Sequence, residues 1–241
     1  LAAIVATEPN AAVKTEPGGH DPLRRLLAST IAAFADFLTR RDAVAALVFV
    51  VLFKFCDAFA GAMTAPFVID IGFSRTDYAA IVKGVGLGAV LAGGFAGGLI
   101  AKKLPMSSAL WIGGILQAVS NLAFSWLATL GTNYWALTAA IVAENFTGAI
   151  GTVIFVAYIS ALCRNPLHTA TQYALLTALA STARTFLASG TGFVATAVGW
   201  PLFFLATVVA ALPALLLLGW LQRQGHFAEL TRERNAAAAA D

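Results

Sequence analysis

Five ionisable side chains interrupt stretches of this sequence that are otherwise apolar over about 20 residues. They are Lys54, Asp57, Lys83, Glu144 and Arg184. An unpaired charge at the centre of a bilayer costs about 2.5–3.5 kcal/mol on insertion scales, so each of them needs a partner, water or a function. Because charged residues in apolar helices mark substrate and ion pathways, these five are the first candidates for a functional site.

Lys54 and Asp57 are three residues apart, which places them on one face of a helix and within pairing distance. Two interpretations stay open: a local ion pair that lowers the cost of insertion, or a proton site in which Asp57 titrates beside Lys54. Glu144, followed by Asn145, lies deep in another apolar stretch. Desolvation makes a buried carboxyl group easier to protonate, as in proton carriers, so Asp57 and Glu144 are the predicted proton-coupling residues.

Arg184 lies near the middle of a further apolar stretch and cannot lose its proton. It either holds Glu144 or Asp57 in a permanent ion pair or presents its guanidinium fork to a carboxylate of a ligand. Gln117 and Asn121 are four residues apart and give one helix face that can hydrogen-bond amide or sugar groups.

The charged positions together indicate an anionic ligand. Three cations stand against two anions, which leaves one positive charge over, although Lys83 lies close enough to the end of its stretch to extend to the interface. The predicted ligand-binding residues are Arg184, Asn145, Gln117, Asn121 and Lys54.

The composition of the chain indicates the kind of protein in which these charged residues lie. The chain is 59% hydrophobic and 11% charged, whereas charged residues make up about 25% of a typical soluble domain, so we predict an integral membrane protein. Its apolar runs lack strict alternation and therefore indicate helices rather than barrel strands. The predicted fold class is all-α with six transmembrane helices, at 44–69, 79–101, 107–130, 134–162, 172–198 and 201–221.

The domain organisation follows from these spans. We predict the end of a preceding helix and a cytoplasmic linker at 1–21, an interfacial amphipathic helix at 22–42, the six-helix domain at 43–222 and a cytoplasmic tail at 223–241. Eleven of the 15 basic residues fall on one predicted side and Arg75 alone on the other, which places both termini in the cytoplasm. Glycines four apart at 84/88, 93/97 and 94/98 predict close helix packing by the second span.

No motif in the sequence indicates a cofactor, a metal site or a soluble enzyme. Cys56 and Cys163 form no disulfide framework, and the three histidines are too scattered to suggest a ligand cluster. The net charge of +3 concerns membrane orientation rather than nucleic acid. We therefore predict a protein that is not an enzyme, while a membrane-embedded enzyme remains an alternative to test.

Four segments carry a resemblance to a known family. They are FKFCDAF at 53–59, GILQAVSN at 114–121, ENFTGAIGT at 144–152 and ATQYALL at 170–176. They resemble the C-terminal half of AmpG-type muropeptide permeases of the major facilitator superfamily, in order along nearly the whole chain. Residues 98–103, GLIAKK, lack the acidic residue that the superfamily's loop has before its basic pair, so charge-relay gating by this loop is not implied.

The resemblance implies one half of a twelve-span transporter, with an N-terminal six-helix half as its partner. It implies proton-coupled import of anhydromuropeptides across the bacterial inner membrane for peptidoglycan recycling, by alternating access. Arg184 and Asn145 would hold the cargo while Glu144 or Asp57 carries the proton. The alternatives are a transporter of acetyl-coenzyme A or another anionic solute, and a structural membrane protein in which all five charges form internal pairs.

Overall fold

The protein folds entirely into helices over the residues that its computed structural model describes, which are 31–32, 34–35, 37–39, 41–163 and 169–238, with side chains to 232. In chain order the helices from residue 43 onward are α1 (Ala43–Phe53), α2 (Phe55–Asp70), α3 (Arg75–Ile81), a π-helical turn (Val82–Gly86), α4 (Leu87–Lys103), α5 (Met106–Leu130), α6 (Tyr134–Leu162), α7 (Thr169–Ala188), α8 (Thr191–Val198), α9 (Trp200–Ala210), α10 (Leu212–Arg223) and α11 (His226–Ala238). The prediction of an all-α membrane bundle is confirmed.

Five segments of the described chain are long and apolar enough to cross a membrane: Ala43–Asp70, Arg75–Lys103, Met106–Leu130, Tyr134–Leu162 and Trp200–Arg223. They match five of the six predicted spans. The remaining predicted span, 172–198, is divided between α7 and α8, which meet at a turn formed by Ser189 and Gly190. Arg184, five threonines and several small residues make α7 less apolar than the other spans. The segment predicted as the fifth span is therefore made of two helices rather than one.

The first span is one membrane crossing made of two helices. Lys54 lies at the junction of α1 and α2 with φ −93° and ψ 1°, outside the α-helical region. The carbonyl of Lys54 accepts the amide of Ala58 at 3.0 Å, so α2 begins directly after the break. Because the helix is broken at Lys54, this side chain does not have to follow the apolar faces of α1 and α2. It lies within the bundle, where it is 12% exposed.

The second span packs closely on the fourth through two glycines. Gly93 and Gly97 of α4 are buried, and a Cβ atom at Gly97 would lie 3.0 Å from the backbone of Ile150 in α6. Gly84, Gly88, Gly94 and Gly98 have no neighbouring atom within 4 Å of a Cβ position. One of the three predicted glycine pairs therefore makes the helix contact, which brings α4 beside the polar part of α6.

Two apolar clusters occupy opposite ends of the bundle. One includes Phe49, Phe53, Leu110, Ile154, Tyr158 and Leu218. The other includes Ala60, Phe67, Phe124, Ile141, Phe203 and Phe204. Along each of the first, third and fourth spans, the polar residues lie between these clusters: Lys54 and Asp57 fall between Phe53 and Ala60, and Glu144 lies between Ile141 and Ile150. The charged residues thus form a layer between two apolar cores.

The segments outside the spans are described in part. In the predicted amphipathic helix at 22–42, residues 31, 32, 34, 35, 37 and 38 are helical, with Ile31 exposed and Phe37 buried; the rest of that segment is only partly within the described residues. In the predicted tail, α11 packs against the bundle through Phe227 and Leu230, and His226 hydrogen-bonds Tyr158 at 3.1 Å. The predicted linker at 1–21 lies outside the described residues.

Candidate functional site

Lys54 and Asp57 form an ion pair inside the first span. The Lys54 Nζ atom lies 3.0 Å from Asp57 Oδ2, and the two side chains are 12% and 23% exposed. The pairing that the spacing predicts is therefore present. Both charges are largely removed from solvent, which costs desolvation free energy. Their mutual attraction offsets part of that cost, and either charge alone would lack this compensation.

Thr152 of α6 completes the surroundings of the Lys54 ammonium group. Lys54 Nζ donates to Thr152 Oγ1 at 3.0 Å, and the threonine hydroxyl donates in turn to the carbonyl of Gly148 at 2.7 Å. The sequence reasoning missed Thr152, although one signal was available. Thr152 follows Glu144 by eight residues, about two helical turns, and so lies on the same face of the helix.

A cleft of about 390 Å³ opens beside this ion pair. Its lining residues are Asp57 of α2, Val90 and Gly94 of α4, and Glu144, Asn145, Gly148, Ala149, Thr152 and Val153 of α6. Gly148 of α6 faces α2, because a Cβ atom there would be in van der Waals contact with Asp57 Oδ1 at 3.8 Å. The cleft therefore combines both predicted proton-coupling carboxyl groups with a hydroxyl and an amide.

Glu144 and Asn145 contribute the other polar groups of the cleft, and both are partly buried. Among the described side chains, ion pairing is limited to Lys54 and Asp57, so Glu144 has no cationic partner there. Asn145 lies against the π-helical turn, where a Cβ atom at Gly86 would be 2.8 Å from Asn145 Nδ2. The absence of a side chain at Gly86 thus makes room for the amide.

Gln117 and Asn121 of α5 lie inside the bundle, not in the cleft lining. Each is only 3% exposed. Both amide atoms of Gln117 and the Nδ2 atom of Asn121 have no hydrogen-bond partner among the described residues. Gln117 packs flat against Gly151, where a Cβ atom would approach the Gln117 Oε1 atom to 2.7 Å.

Arg184 and Lys83 are both exposed and lie apart from the residues that line the cleft. Arg184 is on α7 and makes no ion pair with Glu144 or Asp57 in this structure. Lys83 lies in the π-helical turn of the second span. The extra positive charge counted from the sequence is therefore not gathered at the cleft, where Lys54 pairs with Asp57 and Glu144 has no cationic partner among the described side chains.

The chemistry available in the cleft is hydrogen bonding and proton exchange. The described residues contain no group of three or more His, Cys, Asp and Glu side chains that could hold a metal ion. Cys56, which neighbours Asp57 in sequence, is a buried thiol, and neither Cys56 nor Cys163 forms a disulfide among the described residues. An ammonium group, two carboxyl groups, a hydroxyl and an amide provide donors and acceptors for a polar solute, together with two sites that can take up a proton.

Comparison with known proteins finds relatives among transporters. The chain is 40% identical over 196 residues to a putative transporter named AmpG 4 from Rickettsia felis, a match that covers 81% of this chain and 47% of that protein. It is 37% identical over 205 residues to the anhydromuropeptide permease of Escherichia coli K12, covering 84% of this chain and 42% of the permease.

An uncharacterized protein of Haemophilus influenzae is also similar, at 37% identity over 196 residues. No protein-family model matches the sequence. The chain spans about half the length of the curated relatives it matches.

Proposed function

This chain belongs to the family of AmpG-type permeases, and we propose that it forms the C-terminal half of a transporter that imports anhydromuropeptides together with protons. The proposal includes an N-terminal six-helix half as partner, alternating access between the two halves, and a location in the bacterial inner membrane with both ends of this segment in the cytoplasm. In this account the imported cargo serves peptidoglycan recycling.

The observation that carries the proposal is the polar cleft between two apolar cores. Lys54, Asp57 and Glu144 lie at one level of the bundle, between clusters centred on phenylalanine side chains at either end. Ionisable groups are costly at that depth and are found there chiefly in substrate and proton pathways. An anhydromuropeptide offers sugar hydroxyls, peptide amides and carboxylates, which match the donors and acceptors of the cleft.

Glu144 is the proposed proton carrier. Asp57 is already balanced by Lys54 at 3.0 Å, whereas Glu144 has no cation beside it among the described residues. Because no cation balances Glu144, a bound proton is what makes its carboxyl group neutral. Release of that proton restores a negative charge that the apolar surroundings disfavour. A group that alternates between these forms as the cleft opens to either side couples proton movement to transport.

Cargo binding is assigned to Lys54 and Asn145 at the cleft, together with Arg184 from the neighbouring span. The guanidinium group of Arg184 is exposed and unpaired among the described side chains, which leaves its fork available for a cargo carboxylate. Gln117 and Asn121 keep their proposed role as hydrogen-bonding groups. Because both amides are buried and Gln117 packs against Gly151 of α6, that role requires α5 and α6 to separate during the transport cycle.

The substitution Glu144→Gln tests the proposal. It keeps the size and polarity of the side chain but removes the carboxyl group that can take up and release a proton. We therefore expect the permease that contains this chain to lose accumulation of radiolabelled anhydromuropeptide. Membrane protein abundance is measured in parallel. The matched control is Glu229→Gln, the same chemical change at an exposed position of α11, which should leave uptake unchanged.

Two results would contradict the assignment. Normal accumulation by the Glu144→Gln protein would remove Glu144 from proton coupling. Covalent alteration of the anhydromuropeptide by the purified protein in detergent would indicate a membrane enzyme instead.

A further inference from the structure

The hydrogen bonds of the Lys54 ammonium group leave one donor over. An ammonium group carries three protons. One faces Asp57 Oδ2 and a second faces Thr152 Oγ1, each at a heavy-atom distance of 3.0 Å. No third acceptor for Lys54 occurs among the described residues, while both of its partners line the cleft. The remaining donor is thus held at the edge of a space that a solute can enter.

Thr152 is suited to hold the Lys54 ammonium group in place because its own hydroxyl proton is already donated to another acceptor. A hydroxyl has one proton and two lone pairs, and the Thr152 proton is directed to the Gly148 carbonyl at 2.7 Å. The hydroxyl therefore presents only lone pairs to Lys54. The lysine side chain is long and flexible, and two fixed acceptors, one on its own span and one on α6, restrict it to a single position.

We propose that Thr152 is a positioning residue that holds the Lys54 ammonium group ready to bind a carboxylate of the cargo. The inference rests on the proposed transport function and deepens it, since it names the cargo group that the cleft selects. An ammonium group bound to a carboxylate makes a charge-assisted hydrogen bond, which is stronger than a bond to a neutral amide oxygen. Preorganisation of the donor reduces the ordering cost when the cargo arrives.

A Lys54 ammonium group that binds a cargo carboxylate should distinguish a carboxylate cargo from the corresponding amide cargo. Replacing a cargo carboxylate by a primary amide keeps its shape but removes the charge, so the wild-type protein should transport the amide form with a higher KM, by about tenfold for one charged hydrogen bond. Without the Thr152 acceptor the ammonium group moves more freely. The KM for the carboxylate cargo should then rise toward that for the amide cargo.

The experiment measures uptake of a radiolabelled anhydromuropeptide and of the same compound with its peptide carboxylates converted to amides. The proteins are the wild-type permease that contains this chain, Thr152→Val, Thr152→Ser and Thr138→Val. Valine keeps the shape of threonine without the hydroxyl, and serine keeps the hydroxyl. Thr138 is the matched control on the same helix, because its hydroxyl also donates to the carbonyl four residues earlier, at 2.8 Å, but contacts no lysine in the described structure.

The expected result is a loss of discrimination in Thr152→Val, with uptake of the amide cargo retained, and wild-type discrimination in Thr152→Ser and Thr138→Val. Retained uptake of the amide cargo also shows that the Thr152→Val protein is folded. The inference is overturned if Thr152→Val keeps the wild-type preference, or if it loses both cargoes equally, which indicates a purely structural role.

A wild-type protein that transports both cargoes with equal KM overturns the inference but leaves the proposed function intact. A wild-type protein that transports neither cargo overturns the proposed function, and the inference with it.

Discussion

At the scale of single residues, the membrane-embedded charges of this chain have unequal surroundings. Lys54 and Asp57 neutralise each other, Glu144 lines the cleft without a cation beside it in the described structure, and Arg184 is exposed on α7. This inequality matters because a charge in an apolar helix is tolerated either through a partner or through a function. Glu144, Arg184 and Lys83 have no ion-pair partner among the described residues, and of these three Glu144 alone lines the cleft.

The Lys54 and Asp57 pair should show strong energetic coupling. Lys54→Ala or Asp57→Ala alone leaves one partly buried charge uncompensated, whereas the double substitution removes both charges, so the double variant should be less destabilised than the two single effects predict. We expect a coupling energy of about 0.5–3 kcal/mol from a double-mutant cycle measured by unfolding in detergent.

A second double-mutant cycle, with Lys83→Ala in place of Lys54→Ala, provides the control. Lys83 is exposed and makes no ion pair with Asp57, so Lys83→Ala and Asp57→Ala should act additively. Equal coupling in both cycles would show that the effect is a general loss of positive charge and not the observed contact.

The residue types of the site could be predicted from the sequence, but not all of their partners. The spacing of three between Lys54 and Asp57 is local and predicts the observed ion pair. Thr152 lies 98 residues from Lys54 in sequence, and a threonine in a helix usually bonds its own backbone, so nothing local marks it as a partner for a lysine.

At the scale of helices, the second and fourth spans show how glycine determines which elements meet. Gly93 and Gly97 let α4 approach the backbone of α6, whereas Gly94 and Gly98, one residue further along, face open space. Periodicity in the sequence identifies glycines four residues apart but gives no direction for the partner helix. The choice among the three candidate pairs depends on tertiary packing.

Gly97→Ala and Gly98→Ala form a matched pair of substitutions on one helix. A Cβ atom at Gly97 would lie 3.0 Å from the Ile150 backbone, so Gly97→Ala should destabilise the protein by about 1–3 kcal/mol through overpacking. Gly98→Ala meets no neighbouring atom and should be neutral, or stabilising by up to about 1 kcal/mol, because alanine has the higher helix propensity.

Unfolding of both variants in the same detergent, followed by the thermal midpoint, measures this difference. Equal midpoints for the two variants would show that the α4 and α6 contact does not govern stability at these positions.

Five of the spans could be predicted from hydropathy, but the breaks within the spans could not. Apolar content and length determine how often the chain crosses a bilayer. The junctions at Lys54 and at Ser189 with Gly190, and the π-helical turn at 82–86, depend on how neighbouring helices pack and satisfy backbone groups. Each of these breaks adjoins a predicted site residue: Lys54 itself, Arg184 before the turn in the fifth span, and Asn145 against Gly86.

At the scale of the whole molecule, the described bundle has an open cleft and a large exposed apolar surface. The cleft is lined by helices of the first, second and fourth spans, and large side chains such as Leu91 and Phe95 of α4 are exposed beside it. The chain matches about half the length of its curated relatives. In the proposed transporter, lipid and a second six-helix half cover these surfaces and close the cleft.

The orientation of the bundle remains a prediction from charge. Lys102 and Lys103 end the second span and Arg223 ends the sixth, whereas Arg75 begins the second span at the opposite end of the same membrane crossing. The positive-inside rule then places the α4 and α10 ends in the cytoplasm.

Uptake by purified protein in liposomes tests the central claim most directly. The permease that contains this chain is reconstituted, a proton gradient is imposed, and accumulation of radiolabelled anhydromuropeptide is followed with and without a protonophore. The account predicts accumulation that depends on the gradient and collapses when the protonophore is added. Uptake no greater than in liposomes without protein, or uptake that is unaffected by the protonophore, would contradict it.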